Sequence, residues 1–168
     1  MSIKSKKEVK CLIHLLACAF NNKTPVIEDG VDFKVLLDLA KNHQVYNIIF
    51  PLVSKLSEVD EDEKALFRDN SLSELKRMLV VNSERETIFS ELEKEKIRYM
   101  PLKGLIIKAY YPKESMRQMS DNDILFDEEN RDAVARIMKK NGYSAFSTGE
   151  NSDDYHKVPY STFEFHRT

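Results

Sequence analysis

Two aspartates, Asp121 and Asp123, stand two positions apart at the start of the apolar run 124–126. Such a run is typical of a buried strand, and residues two apart on a strand point to the same side. Both carboxylates are therefore expected on one face, where like charges repel unless water or a cation separates them. Magnesium prefers one or two carboxylates together with phosphate oxygens. The pair thus predicts a divalent-metal site beside a phosphate-bearing ligand.

A third carboxylate, Glu164, lies between Phe163 and Phe165 in a segment where apolar and polar residues alternate. The alternation predicts a strand on which Glu164 faces away from both aromatic rings. If this strand lies beside the first, the three carboxylates can hold two metal ions for in-line phosphoryl transfer. His166 shares the face of Glu164 and is a candidate to support the metal ligands by hydrogen bonding.

The residues expected to bind phosphate lie upstream of the carboxylates. Lys103-Gly104 marks the end of a predicted strand and the beginning of a short helix. Gly104 lets the backbone approach a phosphate closely, and backbone amides at such a turn point toward the anion. Lys103 and Arg117 carry charges that neutralise a triphosphate, and Ser120 adds a hydroxyl contact.

Each of these motifs has an ordinary alternative. An Asp-x-Asp is more often a solvated turn, Lys-Gly is more often a simple turn, and Glu164 could be an exposed residue of an edge strand. It is their order along the predicted elements that favours one combined site.

The pattern of the chain changes near residue 96. Residues 1–96 read as amphipathic helices, ending in a long helix over 60–96, whereas residues 97–168 read as short strands and helices. The segment 147–157 is polar and is predicted to be a loop. These elements indicate an α+β chain with a helical N-terminal region and a mixed sheet with flanking helices. The inner face of the long helix is predicted to carry Leu66, Leu72, Leu75, Leu79, Ile88 and Leu92.

The bulk composition excludes several classes of protein. The 168 residues include 26 basic and 28 acidic side chains, a net charge of -2 that argues against binding of long duplex DNA. No apolar stretch approaches the roughly 20 residues of a membrane span, so no membrane partner is expected. Cys11 and Cys18 are spaced to share one helix face and cannot cross-link the fold. They predict reduced thiols and a cytoplasmic location.

The motifs also carry a family resemblance. Together they resemble the uncharacterised nucleotidyltransferase family, which belongs to the superfamily named for DNA polymerase beta. The helical first half, with Ala40, His43 and Val45, is similar to the helical leader of that family. The resemblance spans most of the chain and is densest over residues 101–143. The matching motifs are Leu102-Lys103-Gly104, Tyr111-Pro112, Arg117, the run from Ser120 to Leu125, Asn141-Gly142-Tyr143 and Phe163-Glu164-Phe165-His166.

The resemblance implies a minimal nucleotidyltransferase fold that uses Mg²⁺ or Mn²⁺. Asp121, Asp123 and Glu164 would be its catalytic metal ligands, and a nucleoside monophosphate would move from a nucleoside triphosphate to a hydroxyl acceptor. One departure concerns Gly104, which is followed by Leu105 where the superfamily usually has a small residue. A second is that relatives generally continue into further helices, so the core over 97–168 is expected to be truncated at its C-terminus.

Three functional hypotheses follow. The leading one is a metal-dependent nucleotidyltransferase whose acceptor is a small molecule, an RNA or a protein. The second is a catalytically inactive relative that binds a nucleotide or a partner; three retained carboxylates argue against it, because binding alone does not require a repulsive cluster. The third is the toxin-type member of a toxin–antitoxin pair.

Overall fold

A computed structural model of the chain describes residues 5–149 and 151–167. Within these ranges the chain forms six α-helices, five strands and two single-turn 3₁₀ helices. The α-helices are α1 Ser5–Asn21, α2 Phe33–Asn42, α3 Tyr46–Val53, α4 Glu61–Lys94, α5 Gly104–Lys108 and α6 Arg131–Lys140. The strands are β1 Tyr99–Pro101, β2 Asn122–Phe126, β3 Ser144–Thr148, β4 Ser152–Lys157 and β5 Ser161–Arg167, and the 3₁₀ helices are Glu114–Met116 and Glu128–Asn130.

The first of two compact units is helical. It ends at Leu75 and also includes the later segment Pro112–Gln118. Its core is an apolar cluster from α1, α2, α3 and the first part of α4. Asp32 caps α2 by accepting hydrogen bonds from the amides of Lys34 and Val35, at 3.0 and 3.1 Å, which satisfies donors that the helix leaves free. Cys11 and Cys18 are buried free thiols in this unit, as predicted.

The second unit comprises Lys76–Tyr111 and the chain from Met119 onward, and it is built on the sheet. The strand order is β1-β2-β5-β4-β3. β2 and β5 are parallel, and the other three pairings are antiparallel. The α+β class and the mixed sheet predicted from the sequence are confirmed.

The two faces of this sheet differ in chemistry. One face packs against the second part of α4 and against α6, and Ile124, Phe163 and Phe165 are fully buried there. Residues that alternate with these on β2, β4 and β5 point the other way. We call this second side the polar face, and it carries Asp123, Asp154, His156, Thr162, Glu164 and His166.

The loop predicted over 147–157 was wrong, because residues 152–157 form β4 between β3 and β5. The error has a physical cause. Asp153 faces the core, where an apolar residue is expected, and it is only 2% exposed. Arg131 binds it through two nitrogens at 2.9 Å each, and Arg167 donates a third bond at 2.9 Å. Asp153 thus replaces the core-facing apolar residue whose alternation with polar residues would have predicted a strand here.

The predicted inner face of α4 was only partly right. Ile88 and Leu92 are fully buried in the second unit, and Phe67 is fully buried in the first. The other four leucines of the predicted face are all exposed by 40% or more, namely Leu66, Leu72, Leu75 and Leu79. A single apolar face was assumed for a helix whose two ends belong to different units. No helix in the described part of the chain combines the length and apolar character that membrane crossing requires.

Candidate active site

The register of the two central strands aligns the predicted carboxylates. β2 and β5 run parallel with Asp123 opposite Glu164 and Leu125 opposite His166. Since paired residues point to the same face, Asp123, Glu164 and His166 converge on the polar face. Asn122 and Ile124, on either side of Asp123, are fully buried and fix its direction.

Asp123 is the centre of the polar contacts. The His166 Nε2 atom lies 3.0 Å from Asp123 Oδ1 and 3.9 Å from Glu164 Oε2. Ligand atoms of all three residues lie within 4.8 Å of one another. Asp123 is 13% exposed and Glu164 36% exposed, so the cluster opens to solvent on the Glu164 side. Two oxygens and one nitrogen at this spacing can share one cation.

Lys103 approaches the same aspartate from the neighbouring loop. Its Nζ atom lies 3.7 Å from Asp123 Oδ1, and its side chain is 70% exposed. The Leu102 amide donates to the Asp123 carbonyl at 2.9 Å, which ties this loop to β2. Lys103 has a φ of 39°, a left-handed conformation that is strained for a residue with a side chain. Strain of this kind often accompanies functional positions.

A buried amide holds the aspartate strand in register. Asn122, between the two aspartates, donates from Nδ2 to the Thr162 carbonyl of β5 at 3.0 Å. Its Oδ1 atom lies 3.5 Å from the Arg85 Nη1 atom of α4. Arg85 also donates to Asn82 at 2.9 Å, and the buried Lys108 lies 3.4 Å from the same Asn82 oxygen. This network was not predicted, although a polar residue at a core-facing strand position was a signal for it.

Burial and the surrounding negative charges raise the pKa of the Glu164 carboxyl. Burial is the largest cause, followed by the negative charges of Asp121, Asp154 and Asp123, while His166 acts in the opposite direction. Asp154, directly opposite Glu164 on β4, therefore belongs to the electrostatic environment of the site. Sequence reasoning missed it because β4 was taken for a loop.

The remaining predicted residues have different positions. Asp121 immediately precedes β2 and is half-buried, while Ser120 is exposed. Gly104 is buried and opens α5 directly after Lys103. Arg117 belongs to the first unit, where it follows the 3₁₀ helix Glu114–Met116. Its buried Nε atom has no hydrogen-bond partner within residues 5–149 and 151–167. The structure thus brings together Asp123, Glu164, His166 and Lys103. Among the described residues, Asp121 is outside the set of ligand atoms that lie within 4.8 Å of one another, and Arg117 belongs to the other unit.

Residues 29–168 match the family described as uncharacterised nucleotidyltransferase. The chain belongs to this family. The resemblance predicted from the motifs is confirmed, and membership indicates a general role in nucleotidyl transfer. No curated protein and no solved structure matches the chain significantly.

Nucleotidyltransferases generally use divalent metals, and the donor set of this family member fits such an ion. Asp123 and Glu164 supply hard oxygen donors, as Mg²⁺ and Mn²⁺ prefer. His166 adds an imidazole nitrogen within the same 4.8 Å set. His166 Nε2 and Lys103 Nζ lie 3.0 and 3.7 Å from Asp123 Oδ1. A bound cation would take over part of their role in balancing the carboxylate charge.

Proposed function

We propose that this chain is a metal-dependent nucleotidyltransferase that moves a nucleoside monophosphate from a nucleoside triphosphate to a hydroxyl acceptor. The observation that carries the proposal is the pairing of Asp123 with Glu164 on adjacent parallel strands, with Lys103 3.7 Å from Asp123. Two carboxylates and a lysine at one solvent-open point suit a metal-bound polyphosphate. The catalytic core is assigned to residues 97–168, with 1–96 as its helical leader.

Asp121, Asp123 and Glu164 are proposed to hold Mg²⁺ or Mn²⁺. When bound, the metal supplies positive charge that stabilises the negative charge developing on the transferred phosphoryl group. His166 orients Asp123 through its 3.0 Å contact. It thereby restricts the positions that the carboxylate can adopt toward a cation.

The triphosphate is proposed to lie on the Lys103 side of the carboxylates. Lys103 is 70% exposed and can turn from Asp123 to a phosphate oxygen. Gly104 has no side chain to hinder the approach of the phosphate, and Ser120 offers an exposed hydroxyl.

The reaction forms a bond between the acceptor oxygen and the α-phosphorus and breaks the bond from that phosphorus to the bridging oxygen of the β-phosphate. Pyrophosphate leaves with the bonding electron pair, and Lys103 stabilises its charge. The acceptor hydroxyl loses its proton to a carboxylate oxygen of Glu164, the more exposed of the two paired acids.

The metal site is tested by titrating the protein with Mn²⁺ in the presence of a nucleoside triphosphate. Free Mn²⁺ is measured by its electron paramagnetic resonance signal. Asp123→Asn and Glu164→Gln are each expected to weaken binding by at least about tenfold, because each replaces a charged carboxylate with a neutral amide. Asp132→Asn, an exposed acid on α6, is the matched control and is expected to bind as the wild type does. Equal Mn²⁺ affinity in all four proteins would contradict the proposal.

A further inference from the structure

The row of side chains that contains Asp123 and Glu164 continues across the sheet. Glu164 pairs with Asp154 of β4, and Asp154 pairs with Ser147 of β3. Paired residues share a face, so Asp154 is the next side chain beyond Glu164 on the polar face. Because Asp154 and Glu164 are directly opposite each other on antiparallel strands, their carboxylates are neighbours on this face.

Asp154 is not paired with the lysine of β4 or the arginine of β5. Lys157 lies on the opposite side of the sheet, where its Nζ atom contacts Glu84 at 2.8 Å. Arg167 is bound to the buried Asp153 at 2.9 Å. Within residues 5–149 and 151–167, Asp154 has no hydrogen bond or ion pair. The half-buried Asp154 carboxylate therefore has no ion-pair partner in the described part of the chain and is open to a group that binds over the polar face.

An aromatic surface adjoins this carboxylate. His156, two residues along β4, is held by a 3.2 Å contact between its Nδ1 atom and Thr162 Oγ1 of β5. The Phe146 ring lies edge-on to the His156 ring at 4.7 Å between centroids. Phe146 sits at the register irregularity of β3 and is 77% exposed. An exposed aromatic ring held in place by a strand irregularity and a ring contact is suited to contact a bound molecule.

The geometry of in-line transfer indicates whether the triphosphate or the acceptor binds over Asp154 and Phe146. The attacking and leaving oxygens stand on opposite sides of the phosphorus. Lys103, the group proposed to stabilise pyrophosphate, precedes α5 and contacts Asp123 of β2. In the strand order, β4 and β3 lie on the other side of β5 from β2. The acceptor hydroxyl therefore arrives over β4 and β3, on the side of Asp154 and Phe146.

We propose that the acceptor is a small hydroxyl compound that carries a protonated amine, and that Asp154 determines this specificity by binding the amine. Phe146 adds a ring whose face or edge contacts the body of the acceptor and whose π-face attracts a cation. This inference rests on the proposed function, because it names the second substrate of the same site. A neutral acceptor would offer Asp154 only an uncharged hydrogen-bond donor, and an anionic acceptor would be repelled.

The test uses the full chain, Mg²⁺ and α-labelled nucleoside triphosphates, and it follows the label into product. The acceptor probes are ethanolamine, glucosamine and an aminoglycoside, each compared with its N-acetylated counterpart. The free amines are expected to be favoured by at least about tenfold in kcat/KM, the effect of one charge-assisted hydrogen bond. Asp154→Asn is expected to raise KM for the amine and to reduce this preference, with KM for the triphosphate unchanged. Asp132→Asn is the matched control and keeps the preference.

Three outcomes would overturn the inference. One is equal transfer to free and N-acetylated probes, and another is an amine preference that Asp154→Asn leaves unchanged. The third is metal-dependent triphosphate binding without transfer to any amine, including the case in which the label enters added RNA or polypeptide instead. A wild-type chain without metal-dependent triphosphate binding would contradict the proposed function itself, so the two failures are distinguishable.

Discussion

At the scale of single residues, the polar contacts of the site meet at Asp123. It stands beside Glu164 across the parallel strands, accepts from His166 at 3.0 Å when that nitrogen carries a proton, and lies 3.7 Å from Lys103. An aspartate with this many ionisable neighbours is poised for a cation, since each neighbour can be displaced or reoriented when charge is added.

Two substitutions of Lys103 separate its contribution to triphosphate binding from the strain of its backbone. Lys103→Gly and Lys103→Ala both remove the amine, so both are expected to weaken triphosphate affinity to a similar extent. Because the φ of residue 103 is 39°, glycine adopts this conformation more easily than alanine. Lys103→Gly should be the more stable variant by about 1 kcal/mol. Chemical denaturation together with nucleotide titration measures both effects; equal stability of the two variants would show that the position is not strained.

Asn122 is expected to act on stability and on the site together. Asn122→Ala removes the 3.0 Å bond to Thr162 and leaves buried polar groups unpaired, which should cost about 1–3 kcal/mol in the free energy of unfolding. Metal affinity should also fall, because β2 loses a contact that fixes the register of Asp123 against Glu164. Asn82→Ala, which alters the outer part of the same network, is a comparison expected to disturb the metal site less. Unchanged Mn²⁺ binding in Asn122→Ala would contradict the role of Asn122 in positioning Asp123 against Glu164.

The alternation of side chains was enough to predict from sequence that Asp123 and Glu164 share one face of the sheet. Asp123 and Glu164 each sit next to apolar strand residues, so their shared face followed once the two strands were taken as neighbours. Asp154 does not follow an apolar strand residue in the sequence, because its neighbour on that side is Asp153. Its neighbour Asp153 is buried by pairing with two arginines from distant positions, and only the folded chain brings these together.

At the scale of elements, we expect β4 to depend on the ion pairs of the buried Asp153 with Arg131 and Arg167. Asp153→Ala would leave Arg131 and the 3% exposed Arg167 side chain without their carboxylate. Breaking a buried pair from one side typically costs about 3–5 kcal/mol. The expected loss is therefore in that range, measured by denaturant unfolding. Asp154→Ala, on the polar face of the same strand, is the control and should cost far less. A small effect of Asp153→Ala would mean that β4 is held mainly by its backbone pairing.

Local periodicity predicted the buried face of the long helix α4 only in part. Apolar residues were assigned to one face along its whole length, yet Phe67 is buried in the first unit and Ile88 with Leu92 in the second. The partner on which each part of the helix packs determines its buried face. That information lies in segments far away in sequence.

At the scale of the whole molecule, the chain forms two compact units, and the family match over residues 29–168 includes parts of both. Pro112–Gln118, which carries Arg117, leaves the second unit and joins the first. No local pattern in the sequence predicted this exchange, because it depends on contacts with α3 such as the 3.4 Å approach of Asn47 Nδ2 to the Ser115 carbonyl.

The central claim is that Asp123 helps hold a metal ion against a nucleoside triphosphate, and a thermal unfolding experiment tests it most directly. Wild type and Asp123→Asn are heated with each nucleoside triphosphate, with and without Mg²⁺. A ligand at 100 times its dissociation constant adds about 2.7 kcal/mol, which for a chain of this size raises Tm by roughly 5–10 °C. We predict a rise of this size in the wild type only when both nucleotide and Mg²⁺ are present, and none in Asp123→Asn. An equal rise in both proteins, or no rise with any nucleotide, would contradict the account.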